Sequence, residues 1–316
     1  MKRVLVTNLI MQRDAHLFGA ELKSADAELD CYPVKQFLRE DELLPIIGGY
    51  DGMIAGDDQL TARVLEASQP RLKVISKWGV GLDSIDLDAA RQLKIKVFNS
   101  PGAFGEAVAE VCLGYLLMLS RHLHHIDREV RQGNWIKPEG GGLIDKTLGV
   151  VGFGSIGRGI AARAMPFRMN VLVHDVRMDE MQPPEGVEFA TLYRLLEQSD
   201  YLCLACNLTP ENRRMIDTAA LARMKPTACL LNMGRGSLVD ETALIGALKS
   251  NRLAGAALDV YETEPLPPGS PLTKMPNVVL GSHNANNLET ANQAVNRNSI
   301  RNLIEGLKSQ SEPRAA

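Results

Sequence analysis

The stretch GVVGFGSIGRGIAARA, Gly149 to Ala164, spaces three glycines as G-x-G-x-x-G at Gly152, Gly154 and Gly157. No other feature of the chain constrains its fold as tightly. An apolar run, TLGVVGF, leads into the glycines, and a helix-forming run, IGRGIAARA, follows them directly. Strand, tight turn and helix in that order aim backbone N–H groups and the positive end of a helix dipole at one point, which is how a dinucleotide pyrophosphate is held. Gly152, Gly154, Ser155, Ile156 and Gly157 are the candidate contacts. Asp175 closes the next apolar run, NVLVHD. There a carboxylate accepts hydrogen bonds from the adenosine ribose and repels a 2′-phosphate, so NAD is the expected cofactor. Arg177, two residues on, is placed to soften that preference.

Such a fingerprint normally opens a chain, yet almost half of these 316 residues precede it. That length suits two domains of roughly 150 residues each. Short apolar runs alternate with helical segments throughout, the pattern of α/β folds with parallel strands. In the first third the expected strands are Val4–Thr7, Gly52–Ala55, Lys73–Ser76 and Lys96–Phe98. A helix over Glu106–Leu123 places Val108, Val111, Cys112, Tyr115, Leu116 and Leu119 on one face. With the loop RQGNWIKPEGGGLIDK it forms the expected crossover. A second series begins at the fingerprint, with strands expected at Thr147–Phe153, Asn170–His174, Tyr201–Leu204, Ala228–Asn232, Gly255–Asp259 and Val278–Leu280. Their nearly unbroken Val, Leu, Ala and Cys content suits strands covered on both faces. The last helix, ETANQAVNRNSIRNLIEGL, is expected to pack back on the first domain, before the low-complexity tail KSQSEPRAA.

Charge and cysteine usage narrow the functional classes. The 35 Lys and Arg against 38 Asp and Glu give a net charge of −3, with no run of either sign. Neither nucleic acid nor an anionic membrane surface is an expected partner. No apolar run reaches the roughly 18 residues that span a bilayer, and MKRVLVTNLI reads as a first buried strand rather than a leader. Five scattered cysteines suit a reducing compartment, so the expected location is the cytoplasm. Cys203 and Cys206 lie three apart along a strand and point to opposite faces, which argues against a redox or metal pair. In RHLHHID only His122 and His125 would share a helix face, and no metal is expected.

Three clusters follow the fingerprint: LLNMGRGSLVDETAL with Arg235, GAALDVYETEPLP with Asp259 and Glu264, and PNVVLGSHNA with His283. Together with KWGVGLDSIDLDAA, VFNSPGAFGEAVAE and LTPENRRMID, they give a chain that resembles the D-isomer-specific 2-hydroxyacid dehydrogenases over nearly its whole length, in particular the phosphoglycerate-dehydrogenase-like branch. The resemblance implies two doubly wound α/β domains. A Rossmann cofactor domain, 103–285, would be inserted into a flavodoxin-like substrate domain formed by 1–102 plus 286–316, with the active site in the cleft between them. It implies a 2-hydroxy or 2-oxo acid substrate and a homodimer assembled through the cofactor domain, for which Glu106–Leu123 is the candidate helix.

The chemistry can also be argued from the residue types. Reducing a 2-oxo acid needs a hydride donor, a proton donor for the developing alkoxide, and a cation for the carboxylate. His283 suits the proton donor, because an imidazole exchanges protons near neutrality. Glu264 would orient it and stabilise the imidazolium, while the planar fork of Arg235 would hold substrate oxygens. The resemblance gives these three residues the same roles, and places Asp259, in an orienting role, and Asn207 beside the cofactor. It makes Val80 and Gly81 substrate contacts, with their backbone N–H groups on the carboxylate; Lys77, just before the loop, is either a further substrate contact that reaches a phosphate or an ordinary surface cation. Asp57 and Asp58 would disfavour a phosphate if they face the cleft, and so favour the alternative, a glyoxylate or hydroxypyruvate reductase. Ala205, Asn207, Phe104, Gly105, Asn284, Asn286 and Asn287 depart from common family residues and bear on the substrate, not on the reaction. A nucleotide-sensing interaction module of the corepressor type is the remaining alternative.

Overall fold

The computed structural model describes residues 1–308, so the tail after Lys308 lies outside the description. The chain divides into two compact units, Met1–Ala103 with the chain from Leu288 onward, and Phe104–Asn287.

The first unit holds β1 (Lys2–Val6), β2 (Ala27–Cys31), β3 (Gly52–Ala55), β4 (Val74–Lys77) and β5 (Lys96–Phe98). They form a parallel sheet in the order β2-β1-β3-β4-β5. The central strands read as continuous apolar runs because both faces are covered. On one side lie Leu43, Ile47, Leu65 and Leu72 with Leu5, Met53 and Ile75. On the other lies the helix Glu289–Lys308, whose Val295, Ile300, Leu303 and Leu307 are buried. Gly306 makes that approach possible, since a Cβ there would collide with the Val74 side chain. β2 escaped the sequence reading for a physical reason. Its segment AELDC buries only Ala27 and forms an edge, so no apolar run marks it.

The second unit holds β6 (Thr147–Val151), β7 (Asn170–His174), β8 (Val187–Phe189), β9 (Tyr201–Leu204), β10 (Cys229–Asn232), β11 (Gly255–Leu258) and β12 (Val278–Leu280). The order is β12-β11-β10-β9-β6-β7-β8, again all parallel. The chain leaves β6 toward β7 and β8, then returns across β6 to pair β9. Strand order therefore reverses between β6 and β9, and ligands of open α/β sheets bind at the carboxyl ends of strands at such a point. β6 is shorter than expected because Gly152, at φ +96°, turns the chain out of the sheet. β8, a three-residue edge, carried no recognisable run.

The long helix also differs from expectation. It spans Gly105–Arg121 and stops where His122 takes a left-handed conformation at φ +55°, after which Leu123–Arg131 forms a separate helix. His122 and His125 therefore do not share a helix face. The His124 ring lies 3.2 Å from the Met118 carbonyl and 3.0 Å from that of Pro276. Among the described residues there is no metal-type cluster of His, Cys, Asp and Glu, and no helix long and apolar enough to cross a membrane.

Replacing Gly306 by alanine is expected to destabilise the first unit by about 1–3 kcal/mol, since neither helix nor β4 can yield freely. Trp78 is buried in this unit, whereas Trp135 is exposed. A fall in the urea midpoint of tryptophan fluorescence therefore reports the loss.

Candidate active site

Each fingerprint glycine of the second unit has a distinct mechanical reason. A Cβ on Gly152 would lie 2.8 Å from the Cys206 backbone nitrogen, and one on Gly157 would collide with the Gly152 carbonyl. These two glycines let turn, helix and β9 close on one another. A Cβ on Gly154 would meet nothing within 4 Å. Its openness leaves room for a ligand to reach the backbone. Gly154 caps the helix Ser155–Ala164, whose first internal bond runs from Arg158 N to the Gly154 carbonyl. The N–H groups of Ser155, Ile156 and Gly157 thus point out of the helix start.

Beside this helix start is a cavity of about 770 Å³, lined by Gly152, Gly154, Asp175, Arg177, Cys206 and Asn207 among others. That volume is within the range of small-molecule and cofactor sites. Asp175 is held on its wall, accepting from Phe153 N at 2.7 Å and Arg177 N at 2.9 Å. Asn207 is fixed through its carbonyl, which accepts from Asn212 Nδ2 at 2.8 Å. An open glycine at a helix N-terminus, an adjoining cavity and a fixed carboxylate fit a dinucleotide.

The clusters after β10, β11 and β12 meet through a buried hydrogen-bond web. His283 Nδ1 lies 2.8 Å from Glu264 Oε2, and Glu264 Oε1 accepts from Tyr261 N at 3.0 Å. A carboxylate only accepts, so Nδ1 carries a hydrogen and Nε2 is the nitrogen able to exchange one. His283 holds φ +53°, a conformation costing a non-glycine residue about 1–2 kcal/mol. The surrounding web enforces it. His283 N donates to the Asp259 carbonyl at 2.7 Å, while the Asp259 carboxylate accepts from Asn284 N, Ala285 N and the Tyr115 hydroxyl. Burial and the Asp259 charge push the Tyr115 phenol well above its ordinary range, so it stays a donor. The orienting role that the resemblance gives Asp259 agrees with its buried carboxylate, which is committed to the hydrogen bonds of this loop.

Arg235 follows β10 on a turn clamped by buried Asn232, which accepts from Gly234 N at 3.1 Å and donates to the Arg235 carbonyl at 2.9 Å. A Cβ on Gly236 would collide with the Tyr261 backbone, so the Arg235 turn packs directly on the segment leading to Glu264. Asn232, Tyr115 and Tyr261 were missed from sequence. Each is an ordinary residue type whose importance comes from partners distant in the chain.

In the first unit, the loop after β4 presents N–H groups outward because its carbonyls are tied back. The Trp78 carbonyl accepts from Lys77 Nζ at 3.3 Å, Gly79 O from Ser100 N at 2.8 Å, and Val80 O from Asn99 Nδ2 at 2.7 Å. Among the described residues, no group accepts from Val80 N or Gly81 N. Consecutive outward N–H groups of this kind make an anion-binding concavity. The Trp78 indole donates to Asn296 Oδ1 at 2.6 Å, which anchors the loop to the final helix. Two expectations fail here. Lys77 is not a surface cation: it is 3% exposed and paired with Asp57 at 2.9 Å. Asp58 does not face a cleft either. It is fully buried, accepting from the Thr7 hydroxyl and from Leu38 N, and burial pushes its carboxyl upward.

Residues 113–285 match the family model described as D-isomer specific 2-hydroxyacid dehydrogenase, NAD binding domain. The chain is 41% identical over 282 residues to a glyoxylate reductase of Thermofilum pendens, covering 86% of this chain and 83% of the relative. It is 35% identical over 318 residues to a D-3-phosphoglycerate dehydrogenase of Synechocystis sp., covering 98% of this chain and 56% of that one. Among solved structures, a Staphylococcus aureus NAD-dependent formate dehydrogenase in complex with NAD matches at a TM-score of 0.86 and 26% identity, covering 100% of this chain and 98% of the other.

Burial pushes the Cys206 thiol, on the cavity wall, up to about 11. At pH 8 only about one thiol in a thousand is then ionised. Its alkylation by iodoacetamide should be slow, rise about tenfold per pH unit up to pH 10, and slow further with NAD present. Peptide mass spectrometry reads this, and labelling at pH 7 as fast as free cysteine would contradict it.

Proposed function

The chain belongs to the D-isomer specific 2-hydroxyacid dehydrogenase family, and from that footing we propose that it reduces a small unphosphorylated 2-oxo acid of the glyoxylate or hydroxypyruvate kind, with His283 as the acid–base residue. It is an NAD-dependent oxidoreductase acting on 2-hydroxy acids. NAD, when bound, supplies or accepts the hydride at C2 of the acid. Gly152, Gly154, Ser155, Ile156 and Gly157 would hold its pyrophosphate and Asp175 its adenosine ribose, with Asn207 beside them.

The observation that carries the proposal is the Glu264–His283 pair at 2.8 Å, held by a loop that forces His283 into a left-handed backbone. Glu264 fixes the tautomer and stabilises the imidazolium. His283 Nε2 gives its proton to the alkoxide oxygen as the carbonyl is reduced, and takes it back in the reverse direction. On the first unit the Val80 and Gly81 N–H groups are the candidate ligands for a carboxylate, and on the second Arg235 offers a bidentate fork to substrate oxygens. The first unit thus serves as substrate domain and the second as cofactor domain.

The buried, paired Lys77 supports an unphosphorylated substrate. Lys77, bound to Asp57, is no ready phosphate ligand, and the glyoxylate reductase of T. pendens matches over most of its own length. The phosphoglycerate-dehydrogenase-like alternative rests on the Synechocystis relative, of which this chain spans about half. The homodimer belongs to the same proposal. Beside the helix Gly105–Arg121, whose Val111, Leu113 and Leu117 are only half-buried, the segment from Leu123 to Ile144 exposes Leu123, Val130, Trp135 and Ile144. A cytoplasmic location suits five cysteines present as free thiols.

Replacing His283 by alanine should lower kcat by about 10²–10⁴-fold while NADH affinity, read by fluorescence titration, stays within a few-fold. Activity retained within a few-fold would remove the acid–base role. A wild-type panel of glyoxylate, hydroxypyruvate, pyruvate and 3-phosphohydroxypyruvate, with NADH and NADPH, should show the unphosphorylated acids with NADH preferred. Size-exclusion chromatography with light scattering should give twice the chain mass of 34.5 kDa.

A further inference from the structure

The loop that follows β9 forms one wall of the cavity beside the glycine fingerprint, and one side chain holds it there. Cys206, Asn207, Thr209, Glu211 and Asn212 line that cavity together with Asp175. Residues 207–209 lie outside every strand, helix and turn, and among the described residues no backbone–backbone hydrogen bond involves Asn207 or Leu208. Leu208 packs against the apolar core, whereas Asn207 and Thr209 are exposed. The Asn212 amide supplies the polar anchoring that the backbone lacks. Its Oδ1 accepts from Thr209 N at 2.8 Å, and its Nδ2 donates to the Asn207 carbonyl at 2.8 Å. These partners fix the amide's orientation, since a reversed amide would set donor against donor and oxygen against oxygen. The same nitrogen lies 3.9 Å from Cys206 Sγ. Asn212 is anchored in turn, its carbonyl accepting from Met215 N at 3.1 Å, while Arg214 N donates to the Ser237 carbonyl at 2.8 Å.

We propose that Asn212 is a positioning residue for the cofactor, its amide holding residues 206–209 in the shape that receives the adenosine half of NAD. The proposal rests on the assignment of this cavity to that half, which Asp175 marks. Asn212 acts through the loop and requires no bond of its own to the cofactor. A loop ordered before NAD arrives spares binding the entropy of ordering it. Without the amide, the Thr209 N–H and the Asn207 carbonyl turn to water, and the wall loses its fixed shape.

Asn212→Ala and Asn212→Leu test this, the leucine keeping most of the side-chain volume without its hydrogen bonds. Fluorescence titration should give an NADH Kd raised about tenfold in both, the effect of losing two ordinary hydrogen bonds. Competition by ADP-ribose, which lacks the nicotinamide, should weaken by the same factor. At saturating NADH, kcat and the KM for the 2-oxo acid that the wild type uses best should stay within about twofold, a split that general destabilisation would not produce. Iodoacetamide should label Cys206 several-fold faster than in the wild type, because the loop that carries the thiol opens more often. The binding measurements need no turnover, so they decide the matter even if the substrate reading fails. Unchanged NADH affinity in both variants overturns the proposal while the dehydrogenase assignment stands. Weaker NADH binding with unchanged ADP-ribose competition overturns it too, since the loop would then act on the other half of the cofactor. A wild type from which ADP-ribose fails to displace NADH overturns the assignment of the cavity, and the proposal with it.

Discussion

The buried Asp259 carboxylate is the interaction on which the placement of His283 and Glu264 in the second unit depends. Two backbone N–H groups of the loop after β12 and the Tyr115 hydroxyl converge on it, and its own carbonyl takes the His283 N–H. A buried carboxylate without partners is costly, whereas one with several hydrogen bonds is a rigid joint. That joint keeps His283 in a left-handed backbone it would not otherwise adopt, and so delivers its ring to Glu264. The strain is affordable only because the loop has so many partners. Tyr261 completes the lock, donating its hydroxyl to the carbonyls of Leu258 and Gly281 while its N–H fixes Glu264.

The first unit solves a related problem with the opposite polarity. Here backbone carbonyls are drawn inward by Lys77, Ser100 and Asn99, so that N–H groups remain outward. In both units the functional loops leave the carboxyl ends of parallel strands, where the sheet stops supplying backbone partners and side chains must supply them. Buried Asn232, Asn296 and Asp259 are used in this way. Each looks like a solvated polar residue in a sequence and is a structural clamp in the fold.

Much of the fold was legible because both sheets are parallel and their central strands are covered on both faces. Gly52–Ala55, Lys96–Phe98, Asn170–His174, Tyr201–Leu204 and Val278–Leu280 have the bounds their apolar runs suggest. The edge strands β2 and β8 were not legible, since one exposed side removes the run that marks a strand. Helix periodicity likewise could not reveal the break at His122, because one residue in a left-handed conformation leaves the surrounding pattern intact. Of the candidate site, the glycine fingerprint, Asp175 and the Glu264–His283 pair were readable through spacing and residue chemistry. Lys77 and Asp58 were misread, because burial and pairing in this sheet are properties of strand order.

By itself, then, the sequence determined the two α/β units, the cofactor class and the chemical types of the candidate site groups. Those depend on local patterns: a glycine spacing, apolar runs, an imidazole with a carboxylate and a guanidinium. Only the tertiary structure decided which charges are buried, which polar groups act as clamps, and how His283 is held to Glu264. Such outcomes depend on partners tens to hundreds of residues apart, brought together by strand order, and no local pattern encodes them. Lys77 marks the division most clearly. Its charge was plain in the sequence, but its burial beneath the loop and its pairing with Asp57 belong to the fold.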